Sequence, residues 1–201
     1  MTETLASCRL RPDNWLDPLP LQAAFPRPEA PIEADIGCGK GRFLLERARR
    51  FPEVNFLGIE RLLGRLRKLD RKVVRAGLTN VRLLRMEAYY ATRYLIPDGA
   101  ISAYYLFFPD PWPKARHHDH RLIGAAFRDA LARTLRPGGA VHVATDHLPY
   151  FEEIIGAFRE DRRFEAIPAF EPTDAERTDF ELRYLGHKPI GRCSFRRIFS
   201  F

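Results

Sequence analysis

A chain of 201 residues with 45% hydrophobic and 29% charged side chains has the profile of one globular domain with a substantial core. It holds no apolar run near the ~18 residues of a membrane-spanning helix. No basic start followed by an apolar run marks a secretory leader, and Cys8, Cys38 and Cys193 are too few and too scattered for a disulfide framework, which fits a reducing cytoplasm. The net charge of +7 favours a polyanionic partner, because phosphates neutralised by lysine or arginine release counterions.

Residues 1–31 carry prolines at 12, 18, 20, 26, 28 and 31 and little periodicity, so they read as an extended arm, ordered only where something holds it. Strands alternating with helices begin at Ile32. Ile32–Ile36 is a short buried strand, and Lys40–Phe51 a helix with Leu44, Ala48 and Phe51 on one face. Val54–Ile59 is the next strand. Leu62, Leu66, Leu69 and Val73 mark a second amphipathic helix that Gly77 ends. Val81–Leu84 and Ala100–Phe107 follow as strands. Ile123, Phe127, Leu131 and Leu135 share a helix face, and Pro137-Gly138-Gly139 turns that helix into a strand over Ala140–Ala144. Tyr150–Phe158 is the last long helix. Two apolar stretches, Phe164–Phe170 and Cys193–Phe201, are expected to pair antiparallel at one sheet edge. The pattern predicts a doubly wound α/β fold: a mostly parallel, seven-stranded sheet with helices on both faces, forming one domain over 32–201. Ligands bind such sheets at the carboxyl ends of the strands.

Phe108-Pro109-Asp110-Pro111-Trp112-Pro113-Lys114 sits at one such end. Three prolines exclude helix interior and central strand, and each is expected to push the residue before it into extended backbone. The result is a stiff loop holding a carboxylate, an indole and an ammonium in fixed relation. Asp35-Ile36-Gly37-Cys38-Gly39-Lys40-Gly41 joins the first predicted strand to its helix. Its spacing is G-x-G-x-G, with Arg42 where a dinucleotide-binding loop has its third glycine, and Asp35 would repel phosphate. Glu60 lies 19 residues past Gly41, where an acid accepts from both ribose hydroxyls of an adenosyl ligand. Glu87 follows the next strand, where an acid meets an adenine amino group. Acids at adjacent strand ends around a glycine loop suit S-adenosylmethionine, which is cationic and carries no phosphate.

DIGCGKGRFL (35–44), FLGIE (56–60), FPDPWPK-x-RH (108–117), LRPGG (135–139), ATDHLPY (144–150) and TDFE (178–181) resemble the bacterial tRNA (guanine-N7)-methyltransferase family from Ile32 onward. The glycine loop is shared by many methyltransferases; the proline motif followed by a late T-x-F-E is far more specific. The resemblance implies the class I, Rossmann-like methyltransferase fold. It implies transfer of a methyl group from S-adenosylmethionine to a guanine in the tRNA variable loop. By position it assigns Asp35, Gly37, Glu60, Glu87 and Asp110 to the cofactor pocket, with Asp110 also catalytic. It assigns Lys114, Arg116, His117, Arg121, Asp146, Thr178, Asp179, Phe180 and Glu181 to the substrate. The implied partner is tRNA, without membrane or metal, the protein acting as monomer or homodimer.

The chain departs from the family pattern where its RNA loop reads His117-His118-Asp119-His120-Arg121 instead of a basic run, and where T-x-F-E carries Asp179. Asp119 would face phosphate unfavourably. The imidazoles add charge as pH falls, so RNA affinity is expected to rise in that direction; adjacent histidines without a nearby cysteine lack zinc-site spacing. Cys38 reads as a small packing residue. A methyltransferase-like RNA-binding protein with weakened catalysis is the alternative these acidic replacements leave open. A small-molecule methyltransferase fits the fold but not the charge. A nicotinamide-dependent enzyme is disfavoured by Arg42 and Asp35.

Overall fold

A computed structural model describes residues 7–184 and 186–198, without the side chains of Ala115, His118 and Asp119. In chain order the strands are β1 (Arg9–Leu10), β2 (Ile32–Ile36), β3 (Asn55–Ile59), β4 (Val81–Leu84), β5 (Ile101–Phe107), β6 (Leu135–Thr145), β7 (Phe164–Ile167) and β8 (Gly191–Arg197). They form one sheet in the order β1-β4-β3-β2-β5-β6-β8-β7. The six strands from β1 to β6 run parallel; β8 is antiparallel to β6, and β7 to β8. The helices are α1 (Arg42–Arg50), α2 (Leu63–Arg75), α3 (Ala88–Tyr90), α4 (Ala125–Thr134), α5 (Leu148–Glu160) and α6 (Asp179–Tyr184).

Strand alternation sends side chains to two cores. Leu57, Ile59, Leu84, Tyr104 and Leu106 pack with Phe127 and Leu131 of α4 and Ile154 and Phe158 of α5. Phe56, Val81 and Leu83 face Leu44 and Ala48 of α1 and Leu66, Leu69 and Val73 of α2. A period of two thus divides each strand between helices on opposite faces. The seven expected strands are all present.

The sheet has an eighth strand beyond the expected seven, and it lies in the arm. Arg9–Leu10 pairs with β4 because the Cys8 carbonyl accepts from Leu83 N–H at 3.0 Å and Asp70 of α2 pins the turn before it. The Asp70 carboxylate accepts from Cys8 N–H and the Ser7 hydroxyl, both at 2.9 Å, and meets Arg9 at 3.3 Å. Leu19, Leu21 and Phe25 are buried in the α4–α5 core, each burial worth about 1.5–3 kcal/mol. Proline density had masked three anchors without periodicity. The expected segment Cys193–Phe201 is represented by β8, which starts at Gly191; residues 199–201 lie outside the described residues.

Two boundaries also move. Helix α1 starts at Arg42, because Gly41 is left-handed at φ 75° and a Cβ there would stand 2.2 Å from Leu69 Cδ1. Strand β6 starts at Leu135, before the Pro-Gly-Gly turn, because Leu135 pairs with Ile101 across an irregularity in the β5 ladder. Helices α3 and α6 are too short to show periodicity and were not expected.

Candidate active site

After β2 the chain builds β3 and β4 on one side of it, then β5 and β6 on the other. That reversal opens a crevice at the carboxyl ends of the strands. The crevice is a cavity of about 610 Å³ whose walls include Gly37 after β2, Glu60 and Arg61 after β3, Met86 and Glu87 after β4, and Phe108, Pro109, Asp110 and Trp112 after β5. Four strand ends thereby bring together residues spread over some 75 positions of sequence.

Gly37 is left-handed (φ 72°), and a Cβ built on it would meet nothing within 4 Å, so its backbone faces the open cavity. Glu60 is 6% exposed. Its Oε2 accepts from Gly39 N–H at 3.1 Å and its Oε1 from Leu62 N–H at 2.7 Å. A carboxylate offers about four acceptor sites, so two remain once the backbone has fixed its orientation. Glu87 is exposed at the cavity wall and caps α3, accepting from Tyr89 N–H at 2.9 Å and Tyr90 N–H at 2.8 Å.

Asp35 does not line the cavity. It lies buried at the end of β2, directly before the Ile36–Gly37 wall. Burial, then the charge of Glu60, push its pKa up to about 7. Asp35 has no ion-pair partner among the described residues and Glu60 has only the exposed Arg65 at 3.9 Å, so a cationic ligand in the cavity would add the positive charge this acidic pair is short of. The donor set fits such a ligand: Glu60, Glu87 and Asp110 line the space, against Arg61 and Arg65, the latter already 3.9 Å from Glu60.

The proline loop departs from the expected extended backbone at two of its pre-proline positions. Phe108 (φ 54°) and Trp112 (φ 43°) are both left-handed. Such residues cost about 1–3 kcal/mol each and persist only where surroundings over-determine them. Phe108 N–H donates to the Ala144 carbonyl at 2.7 Å, and its ring packs 4.8 Å from that of Phe180 in α6. Arg121 donates through Nε to the Pro111 carbonyl at 2.8 Å, pairs with Glu153 and lies 4.7 Å over the Tyr150 ring. Asp110, exposed on the cavity wall, is the carboxylate this strained loop presents.

A family profile described as "Putative methyltransferase" matches residues 29–182. The tRNA (guanine-N(7)-)-methyltransferase of Nitrosococcus oceani is 38% identical over 172 residues, which are 85% of this chain and 72% of that protein. The chain belongs to this family. The enzyme of the same description from Nocardia farcinica is 44% identical over 138 residues, 69% of this chain, but the match spans only 51% of the Nocardia protein. Among solved structures, the 16S rRNA methyltransferase KamB superposes with a TM-score of 0.62 at 16% identity, covering 84% of this chain and 88% of that one. An S-adenosylmethionine-dependent O-methyltransferase from Thermotoga maritima gives 0.59 at 17%, covering 86% and 61%. At such identity these two establish the shared fold.

Within this methyltransferase frame the expected substrate residues divide. Lys114 and Arg116 are exposed on the chain that follows Trp112, and Arg116 Nε donates to His117 Nε2 at 3.2 Å. His117 and His120 flank Trp112 at 5.8 and 5.1 Å between ring centroids. Arg121 turns inward instead, its side chain 6% exposed and engaged by the loop carbonyls. Asp146 pairs with Lys188 at 2.7 Å. Thr178 caps α6, its hydroxyl accepting from Glu181 N–H at 3.0 Å. Glu181 is 1% exposed and pairs with Arg177 and Arg192. Asp179 is exposed, and the Phe180 ring packs at a tilt against those of Phe108 and Tyr184.

The T-x-x-E spacing is also a helix-start signal readable in the sequence, and Thr178 acts as that cap here. The loop-holding contacts of Arg121 and Phe180 span distant parts of the chain and left no local signal. Among the described residues, no group of three or more histidines, cysteines or acids is placed to hold a metal ion, and no helix is long and apolar enough to cross a membrane.

Proposed function

We propose that this enzyme methylates guanine N7 in the tRNA variable loop, using S-adenosylmethionine. The observation that carries the reading is one cavity in which Gly37, Glu60 and Glu87 stand opposite the strained Asp110 loop. When bound, S-adenosylmethionine supplies a methyl group activated on a sulfonium. Glu60 would hold its ribose hydroxyls and Glu87 its adenine edge, while Asp35 lends negative charge from below.

Guanine N7 has a lone pair and no proton, so the protein needs no base to expose the nucleophile. Its task is alignment, exclusion of water, and stabilisation of the positive charge that develops on the purine. Asp110 accepts from the guanine N–H edge, which orients N7, and its charge opposes the developing cation. A preorganised carboxylate acts without moving during the reaction, and the clamp of Arg121, Phe180 and Ala144 supplies that rigidity. Trp112, 39% exposed beside the cavity, offers a stacking face worth ~1–3 kcal/mol to a base. Lys114 and Arg116 contact phosphate and set register rather than sequence. The reducing cytoplasm is the proposed location, in keeping with free Cys8, Cys38 and Cys193.

The test is methyl transfer from labelled donor to unmodified tRNA, followed by nucleoside analysis. The expected product is N7-methylguanosine confined to the variable loop. Label on another atom, or tRNA binding without transfer, would overturn the assignment.

A further inference from the structure

A second cavity, of about 480 Å³, shares its Arg61–Met86–Glu87 wall with the first and lies under the N-terminal arm. Its other walls include Arg11 and Trp15 from the arm and Arg85 after β4. Arg11, Arg61 and Arg85 are exposed, and none has a carboxylate partner within 4 Å among the described residues. Trp15 is 40% exposed although tryptophan is usually well buried.

The arm side of this cavity is built rather than draped. Asp70 holds Ser7, Cys8 and Arg9, β1 pairs with β4, and the Tyr90 hydroxyl donates to the Trp15 carbonyl at 2.9 Å. Three guanidiniums attract phosphate, and the one carboxylate in this wall, Glu87, is already engaged by the Tyr89 and Tyr90 N–H groups, while an exposed indole stacks on any base.

We propose that this cavity is an RNA subsite that seats one nucleotide of the tRNA substrate outside the reacting guanine. The base lies against Trp15, and the flanking phosphates are held by Arg11, Arg61 and Arg85. The proposal rests on the tRNA reading above. It gives the arm a function: the arm completes a wall beside the donor pocket, so RNA bound there would cover the Glu87 side of that pocket.

The test compares the full-length protein with Arg11→Ala/Arg85→Ala and Trp15→Ala, neither of which alters the first cavity. Binding of unmodified tRNA is titrated at several salt concentrations, and S-adenosylmethionine affinity is measured by calorimetry as a control for folding. The arginine variant is expected to reduce the slope of log affinity against log salt by about 1.5, the share of two phosphate contacts. The tryptophan variant is expected to weaken tRNA binding at least about fivefold with little change in salt slope. Donor affinity should stay at the wild-type value in both. Wild-type tRNA affinity and slope in both variants would overturn the subsite, as would a loss of donor affinity, which would make the cavity an extension of the donor pocket. If wild-type protein transfers no methyl to tRNA, the functional reading itself falls; transfer by wild type with unaltered tRNA binding in the variants refutes the subsite alone.

Discussion

Replacing Asp35 by asparagine should stabilise the ligand-free protein at neutral and alkaline pH, although it removes a residue from the base of the site. The acid has an ordinary value of 3.8 and is pushed up to about 7 by burial and by Glu60. Between those values the unfolded chain releases its proton while the folded protein keeps it. Stability therefore falls as pH rises from about 4 to 7 and then levels off. A gap of about 3 pH units at ~1.36 kcal/mol per unit gives about 4 kcal/mol, an upper bound because Asp35 and Glu60 titrate together. The asparagine side chain has nearly the same shape and no charge to desolvate. Urea unfolding of wild type and Asp35→Asn at pH 4.5, 6 and 8, each without ligand, reads the effect directly. The variant should gain a few kcal/mol at pH 8 and almost nothing at pH 4.5. With saturating S-adenosylhomocysteine or S-adenosylmethionine the order should reverse, because the variant has lost attraction for the ligand's cationic end. A difference independent of pH, or a variant less stable at pH 8, would refute the reasoning.

Asp110→Ala should keep donor and tRNA affinity within about threefold while kcat falls by ~10²-fold or more, the usual size of one lost electrostatic group; single-turnover kinetics on tRNA check it. Arg121→Met removes the donor that holds the Pro111 carbonyl and should lower kcat about 10- to 100-fold through a loosened loop, with unchanged donor affinity by calorimetry. Glu181→Gln removes the buried carboxylate shared by Arg177 and Arg192 and leaves Arg192, 8% exposed, only the exposed Glu171 at 3.2 Å; it should cost about 3 kcal/mol in urea unfolding. Gly41→Ala forces a Cβ against Leu69 at left-handed φ and should cost at least ~2 kcal/mol by the same assay.

Sequence periodicity made the fold legible wherever an element spans several turns or alternations, as in α2 and β5. It failed where tertiary contacts decide. Leu19, Leu21 and Phe25 are isolated apolar residues among prolines, and only the finished α4–α5 core gives them a place. Of the site, Glu60, Glu87 and Asp110 were readable because each follows a strand, and strand ends converge by topology. Asp35 follows the same logic but sits one residue too deep to touch the cavity. Phe108 and Trp112 defied the local rule for residues before proline because the Ala144 carbonyl, Phe180 and Arg121 hold them. No local pattern encodes that clamp. At Thr178 and Glu181 the local pattern was legible: T-x-x-E starts a helix, and Thr178 caps α6.

Co-crystallisation with S-adenosylhomocysteine tests the central claim most directly. The nucleoside is expected between Glu60 and Glu87, with its sulfur turned toward Asp110 and its amino group nearest Asp35. Ligand found instead in the arginine-lined cavity beside Trp15, or remote from both, would contradict that claim.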